Sequence, residues 1–84
     1  MIQNGDWALD VAMELDRATA HGKEFASLHE AYAVILEELD EVKEIAWMKK
    51  KNRNEEELRH ELIQVAAMAI KALASMHNFV GGNV

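Results

Sequence analysis

The residues of this chain that could do chemistry are carboxylates. Glu37, Glu38 and Glu41 stand at i, i+1 and i+4 in one stretch, and Glu61 and Gln64 stand three apart in a later one. On helices packed side by side, that spacing aims several oxygens at one space. Like charges a few ångströms apart repel, and apolar surroundings add a desolvation cost. A hard divalent cation relieves both, since Mg2+ takes oxygen ligands in an octahedral array and combines a few carboxylates with water and substrate phosphates. Softer chemistry is missing. The chain has no Cys, which removes disulfides, thiolate zinc sites and cysteine nucleophiles, and its four His are scattered without zinc-like spacing.

The elements that must position these acids are helices. Of 84 residues, 50% are hydrophobic and 29% charged, the balance of a globular chain. No Pro and only four Gly argue against a loop-rich β sandwich. One helical domain over residues 1–84 is expected, with helices at about 7–20, 28–50 and 55–76 and a loose tail from 78 to 84. Asp6 reads as the first N-cap, with Gly22 just past the helix end. Ser27-Leu28-His29-Glu30 reads as a capping box for the second helix, and Asn54 with Glu57 announces the third. The basic connection Lys49 to Asn54 is short enough for an antiparallel pair, and itself reads as a polar turn.

At about 100° per residue, Leu28, Ala31, Tyr32, Ile35, Leu39, Val42 and Ala46 make one apolar face of the second helix, the expected core. Glu38 shares a stripe with Ala31, Val34 and Ile45, at the border of that face, whereas Asp40 and Glu44 point away. On the third helix Glu57, Glu61, Gln64, Met68, Lys71 and Ser75 fall on one narrow stripe. The remaining apolar arc from Leu62 to Met76 is far wider than one core seam needs. Leu62, Val65 and Leu73 are expected in the core and Ile63, Ala67 and Ile70 at a subunit interface, in a homodimer or homotetramer.

Fifteen acids against nine bases give a formal charge of −6, which speaks against nucleic acid as a partner. Met1 to Asp10 has no secretory-leader pattern, and the most apolar stretch is too short and too interrupted for a membrane span, so no membrane partner and a cytoplasmic location are expected.

His29 through Val42, containing Glu37-Glu38-x-x-Glu41, followed by Glu61-Leu62-Ile63-Gln64-Val65-Ala66, resembles the MazG-like branch of all-α nucleoside triphosphate pyrophosphohydrolases, in particular its compact bacterial and phage-encoded members. The resemblance runs from about Ser27 to Met76. It implies Mg2+-dependent cleavage of a nucleoside triphosphate between its α and β phosphates, with Mn2+ a possible substitute, in four-helix bundles built by oligomerisation. Carried over by position, Glu38 and Glu41 would be principal metal ligands and Glu61 the ligand from the facing helix. Glu37 would be a ligand or would orient the attacking water. Gln64 stands where the family pattern has Asp. Lys71, two turns after Gln64 on the same stripe, is the candidate to reach a phosphate, and Trp47, with Trp7, the candidate to stack on a base. His29 and His60 flank the motifs and read as first-turn and surface residues.

Gln64 leaves two roles open. As a weakened ligand it would be improved by Gln64→Asp, with Mg2+ binding and turnover rising about tenfold. As a hydrogen-bonding partner of a glutamate or the substrate, it would not. The rival readings of the whole chain are a non-catalytic helical interaction module with a degenerate metal site, and an acidic mimic of nucleic acid that binds a basic partner.

Overall fold

A computed structural model describes residues 6–19 and 24–81. It is all-α: α1 (Trp7–Thr19), α2 (Leu28–Ala46) and α3 (Glu55–Ala74), with short 3₁₀ turns at Lys50–Asn52 and Met76–Asn78, and no strand among the described residues. Each helix begins at its expected cap. Asp6 Oδ1 accepts from the Leu9 N–H at 3.3 Å, Ser27 Oγ from the Glu30 N–H at 3.1 Å and Asn54 Oδ1 from the Glu57 N–H at 2.9 Å. Glu30 reaches back to the Ala26 N–H at 2.7 Å, one residue before the cap, so the box closes slightly early.

The helix ends differ from the sequence reading. α2 stops at Ala46 rather than near Lys50, and the Arg53 guanidinium donates to the Ala46 carbonyl at 2.8 Å, a cation placed at the negative end of the helix. α3 stops at Ala74 rather than Met76. The tail expected to be loose from residue 78 is tied down over its first residues. Asn78 Nδ2 donates to the Phe25 carbonyl at 2.8 Å, and Phe79 packs against the core. Ala20, the last residue expected in the first helix, and residues 82–84 of the tail lie outside the described residues.

α3 is the central element. α1 and α2 both pack on it and have no comparable packing with each other. Trp7 lies beside Arg59, Glu14 beside Gln64 and Phe25 beside Ser75, so α1 runs parallel to α3 and α2 returns antiparallel. Few residues are buried outright: Phe25, Ala31, Ala67 and Met68 form the core cluster, with Ile45 buried further along α2.

With only α3 to lie on, α2 buries a narrow stripe instead of the expected face. Ala31 and Ile45 are 1% and 4% exposed, whereas Leu28, Tyr32 and Leu39, expected in the core, are 56%, 66% and 45% exposed. The third helix is likewise turned from its expected setting. Ala67, expected at a subunit interface, is fully buried, because its methyl group lets neighbouring helices approach closely. Leu62 and Leu73, expected in the core, are 49% and 67% exposed. Ile70 remains exposed, as an interface residue would be, and Ile63 is half-buried.

The molecule measures 52 × 27 × 26 Å with a radius of gyration of 14.8 Å; a compact chain of this length has about 12 Å. It exposes 6387 Å2, against about 5,000 Å2 for a compact chain of its mass.

Phe25, just before α2, hangs on a fully buried Ser75. Its hydroxyl accepts from the Phe25 N–H at 2.9 Å and donates to the Lys71 carbonyl at 2.7 Å. Replacing it strands a buried N–H. Ser75→Ala should therefore cost about 1–3 kcal/mol in urea unfolding, while Ser27→Ala, which removes a solvent-exposed cap bond, should cost about 1 kcal/mol.

Candidate metal centre

Glu38 and Glu41 are three apart on α2 and so share a face. The antiparallel return of the chain sets Glu61 of α3 against them. One carboxylate oxygen from each of the three lies within 4.8 Å of the others. Glu38 and Glu61 are half-buried and Glu41 is exposed. The trio thus sits in the seam between α2 and α3, inside the stripe whose ends, Ala31 and Ile45, are the most buried residues of α2.

The electrostatics of this arrangement are strained. Burial pushes the Glu61 carboxyl up to about 7, reinforced by a hydrogen bond to Glu41 and by the charges of Glu41 and Glu38; His60 pulls in the opposite direction. Glu38 is raised too, first by burial, then by Glu41, with smaller contributions from Glu37 and Glu14. These acids hold protons that isolated glutamates would have lost.

Gln64, one turn after Glu61, lies among the acids. With its amide nitrogen turned towards them it donates to Glu38 Oε1 at 3.0 Å and to Glu61 Oε1 at 3.2 Å, and its oxygen accepts from His60 Nε2 at 3.3 Å. In the opposite orientation of the amide, the nitrogen instead donates to Glu14 Oε2 of α1 at 3.5 Å. Glu14, only 11% exposed at its side chain, is held by Arg17. Sequence reasoning missed Glu14. The signal was available: it borders the Val11, Leu15 and Ala18 stripe that packs on the core, as Glu38 borders its own stripe.

Other expected site residues lie elsewhere. Glu37 is exposed and acts on Glu38 through its charge, outside the trio. Asp40 and Glu44 face solvent, as the wheel indicated. The Lys71 ammonium sits 4.5 Å from the centre of the Phe25 ring, about 10 Å along the axis from Gln64, so its apparent alignment with the motif leads to an aromatic partner. Trp47 is 79% exposed, with only Lys43 over its ring at 6.0 Å. Trp7 is the better enclosed tryptophan, lining a groove with Leu58, Arg59 and Leu62.

The chain matches no family model, no curated protein and no solved structure. The functional argument therefore rests on this geometry and its chemistry. The donor set fits a hard cation. With bonds of about 2.1 Å, oxygens of an Mg2+ shell stand about 3.0 Å apart where adjacent and about 4.2 Å where opposite, so the trio, now within 4.8 Å of one another, has to draw in by up to about 2 Å, and every donor is oxygen.

In the cation-free protein a carboxyl raised from 4.5 to about 7 binds more protons folded than unfolded between those values. Its contribution to stability is therefore full below pH 4.5 and is lost as pH rises through about 7. The melting temperature measured in EDTA should fall from pH 5.5 to pH 8. Glu61→Gln should flatten that slope and raise the melting temperature at pH 8, by about 4–8 °C for each kcal/mol of repulsion removed.

Proposed function

We propose that this protein is a Mg2+-dependent nucleoside triphosphate pyrophosphohydrolase of MazG-like type. The observation that carries the reading is the convergence of Glu38, Glu41 and Glu61 from two facing helices, with Glu38 and Glu61 driven towards protonation by burial first and then by the neighbouring carboxylates. Such a site is poised for a cation. The spacing of the motifs in the sequence supports the same reading.

In this proposal Glu38, Glu41 and Glu61 hold the metal. Magnesium, when bound, neutralises phosphate oxygens and lowers the pKa of a bound water. Glu37, exposed beside Glu38, accepts the proton from the attacking water and keeps it in line. The water oxygen forms a new bond to the α phosphorus, and the bond from that phosphorus to the α–β bridging oxygen breaks. The products are a nucleoside monophosphate and pyrophosphate. The step as written assigns no part to Lys71, which stands over the Phe25 ring, or to Trp47, which is exposed.

Assembly belongs to the proposal. Leu62, Leu73 and Met76 of the α3 region and Leu28, Tyr32 and Leu39 of α2 are exposed together with two apolar grooves, one on each flank of α3. The surface in excess of a compact chain is about 1,400 Å2 per protomer, within the range an obligate dimer buries on each side. Light scattering at micromolar concentration should give a dimer or tetramer, and Leu73→Lys should shift it to monomer. A monomeric wild type would remove the assembly.

One observation favours a second reading. The Gln64 amide already satisfies Glu38 and Glu61 without any cation, as a non-catalytic helical interaction module with a degenerate metal site would require. Incubation with a panel of ribo- and deoxynucleoside triphosphates and Mg2+ or Mn2+ separates the two. Monophosphate plus pyrophosphate is expected, with Glu38→Gln and Glu61→Gln losing about 10–100-fold in metal affinity and turnover, and Asp40→Asn near wild type. Equal losses at Glu38 and Asp40 would reduce the trio to a diffuse acidic face.

A further inference from the structure

A polar cavity adjoins the carboxylates. It lies between α1 and α3, has a volume of about 320 Å3, and is lined by Asp10, Met13, Glu14, Arg17, His60 and Ile63. Two of its wall residues, Glu14 and His60, contact Gln64, which contacts Glu38 and Glu61. The cavity and the metal centre thus share Gln64, whose amide nitrogen reaches the acids in one orientation and Glu14 in the other. Arg17 is paired with Glu14, its Nε donating to Glu14 Oε1 at 3.1 Å and its Nη2 to the other oxygen, with a side chain 65% exposed.

We propose that this cavity is the polyphosphate subsite of the hydrolase proposed above, that Arg17 is the group that grips the phosphate, and that Gln64 links its availability to the metal centre. The inference rests on that functional reading. Three observations support the choice of Arg17. First, the guanidinium fork matches phosphate as it now matches Glu14, and an exposed side chain can change partners. Second, the described arginines and Lys71 near α3 all have partners, Arg59 with Glu55 and Glu56, Lys71 with Phe25, Arg53 with the end of α2 and Arg17 with Glu14, and of these Arg17 is the one that lines this cavity. Third, the cavity also carries Asp10 and Glu14, so a bare polyanion is repelled and a phosphate already neutralised by a cation is admitted.

Gln64 supplies the link through the near-identical shape of its amide oxygen and nitrogen. In one orientation its N–H group serves Glu38 and Glu61. A half-turn about the last side-chain bond gives it to Glu14 and turns the carbonyl oxygen to the acids. When the lone pairs of Glu38 and Glu61 are engaged by a cation, the second orientation is the one that remains satisfied. Glu14 then has a new donor, and Arg17 is free to exchange a carboxylate for a phosphate. An Asp at position 64 would bind a cation but could not donate to Glu14.

The test is calorimetry of inorganic pyrophosphate on the full chain with Mg2+ saturating, alongside an Mg2+ titration without pyrophosphate. The Arg17 Nε resonance, followed by 15N NMR, gives a second readout. Wild type should bind pyrophosphate only when Mg2+ is present, with the Arg17 Nε signal shifting. Arg17→Gln should weaken pyrophosphate about 10–100-fold, the range for a lost charged hydrogen-bond pair, and leave Mg2+ uptake near wild type. Arg17→Lys, which keeps the charge without the fork, should fall between. Lys51→Gln, which removes the same charge from the α2–α3 turn, should have no effect. Equal pyrophosphate affinity in wild type and Arg17→Gln, with Mg2+ uptake intact, overturns the subsite and leaves the metal centre standing. Equal losses in Arg17→Gln and Lys51→Gln also overturn it, as a diffuse field effect. No Mg2+ uptake by wild type overturns the functional reading itself, and the subsite with it.

Discussion

The α2–α3 seam is held shut by apolar contacts around a point where it is pushed apart by charge. Ala31 and Ile45 are buried along the same stripe that carries Glu38, and Glu61 enters from the opposite helix. Helix geometry makes this unavoidable: a helix that buries Ala31, Val34 and Ile45 must carry Glu38 into the seam with them. The fold tolerates the repulsion by letting the carboxyls keep protons and by setting Gln64 between them as a donor.

The same economy of packing governs the rest of the molecule. α3 must serve two neighbours, and it does so through its smallest and most flexible core residues, Ala67 and Met68. The polar positions Glu61, Gln64 and His60 consequently face the cleft between α1 and α2, where Glu14 joins them. The larger apolar residues, Leu62 and Leu73, are left facing outward. A chain that buries so little of itself has an elongated shape and a surface in excess of its mass. A polar cleft on one side and bare apolar grooves on the others are two outcomes of one choice of which side α3 turns inward.

Much of the architecture was legible in the residues. Asp6, Ser27 and Asn54 begin the three helices where their side-chain oxygens can take an orphan N–H, because capping is decided by the chemistry of a few neighbouring residues. The placing of Glu38 and Glu41 on one face of a helix, opposite Glu61, was legible for the same reason: period and connection length are local. Asp40 and Glu44 were correctly set outward on that ground. Helix ends were less legible, since Arg53 caps α2 from beyond the helix and Ser75 and Asn78 draw in the segment after α3 through partners about fifty residues away.

What the sequence by itself determined is therefore the inventory: three helices, their starting caps, an acidic motif whose carboxylates share one face, and more apolar surface than three helices can hide. What only the tertiary structure decided is which residues meet. The wheel of α3 is apolar over most of its circumference, so hydrophobicity could not choose between Ala67 and Leu73 for the centre, and close approach of two helices favoured the methyl group. Lys71 shares a stripe with Gln64 yet stacks on Phe25. Glu14, fifty residues before Gln64, arrives beside it because α1 lies parallel to α3, and Arg17 is paired with Glu14. Angular position along one helix is a local property of the chain, whereas proximity between helices depends on how all three share a single core.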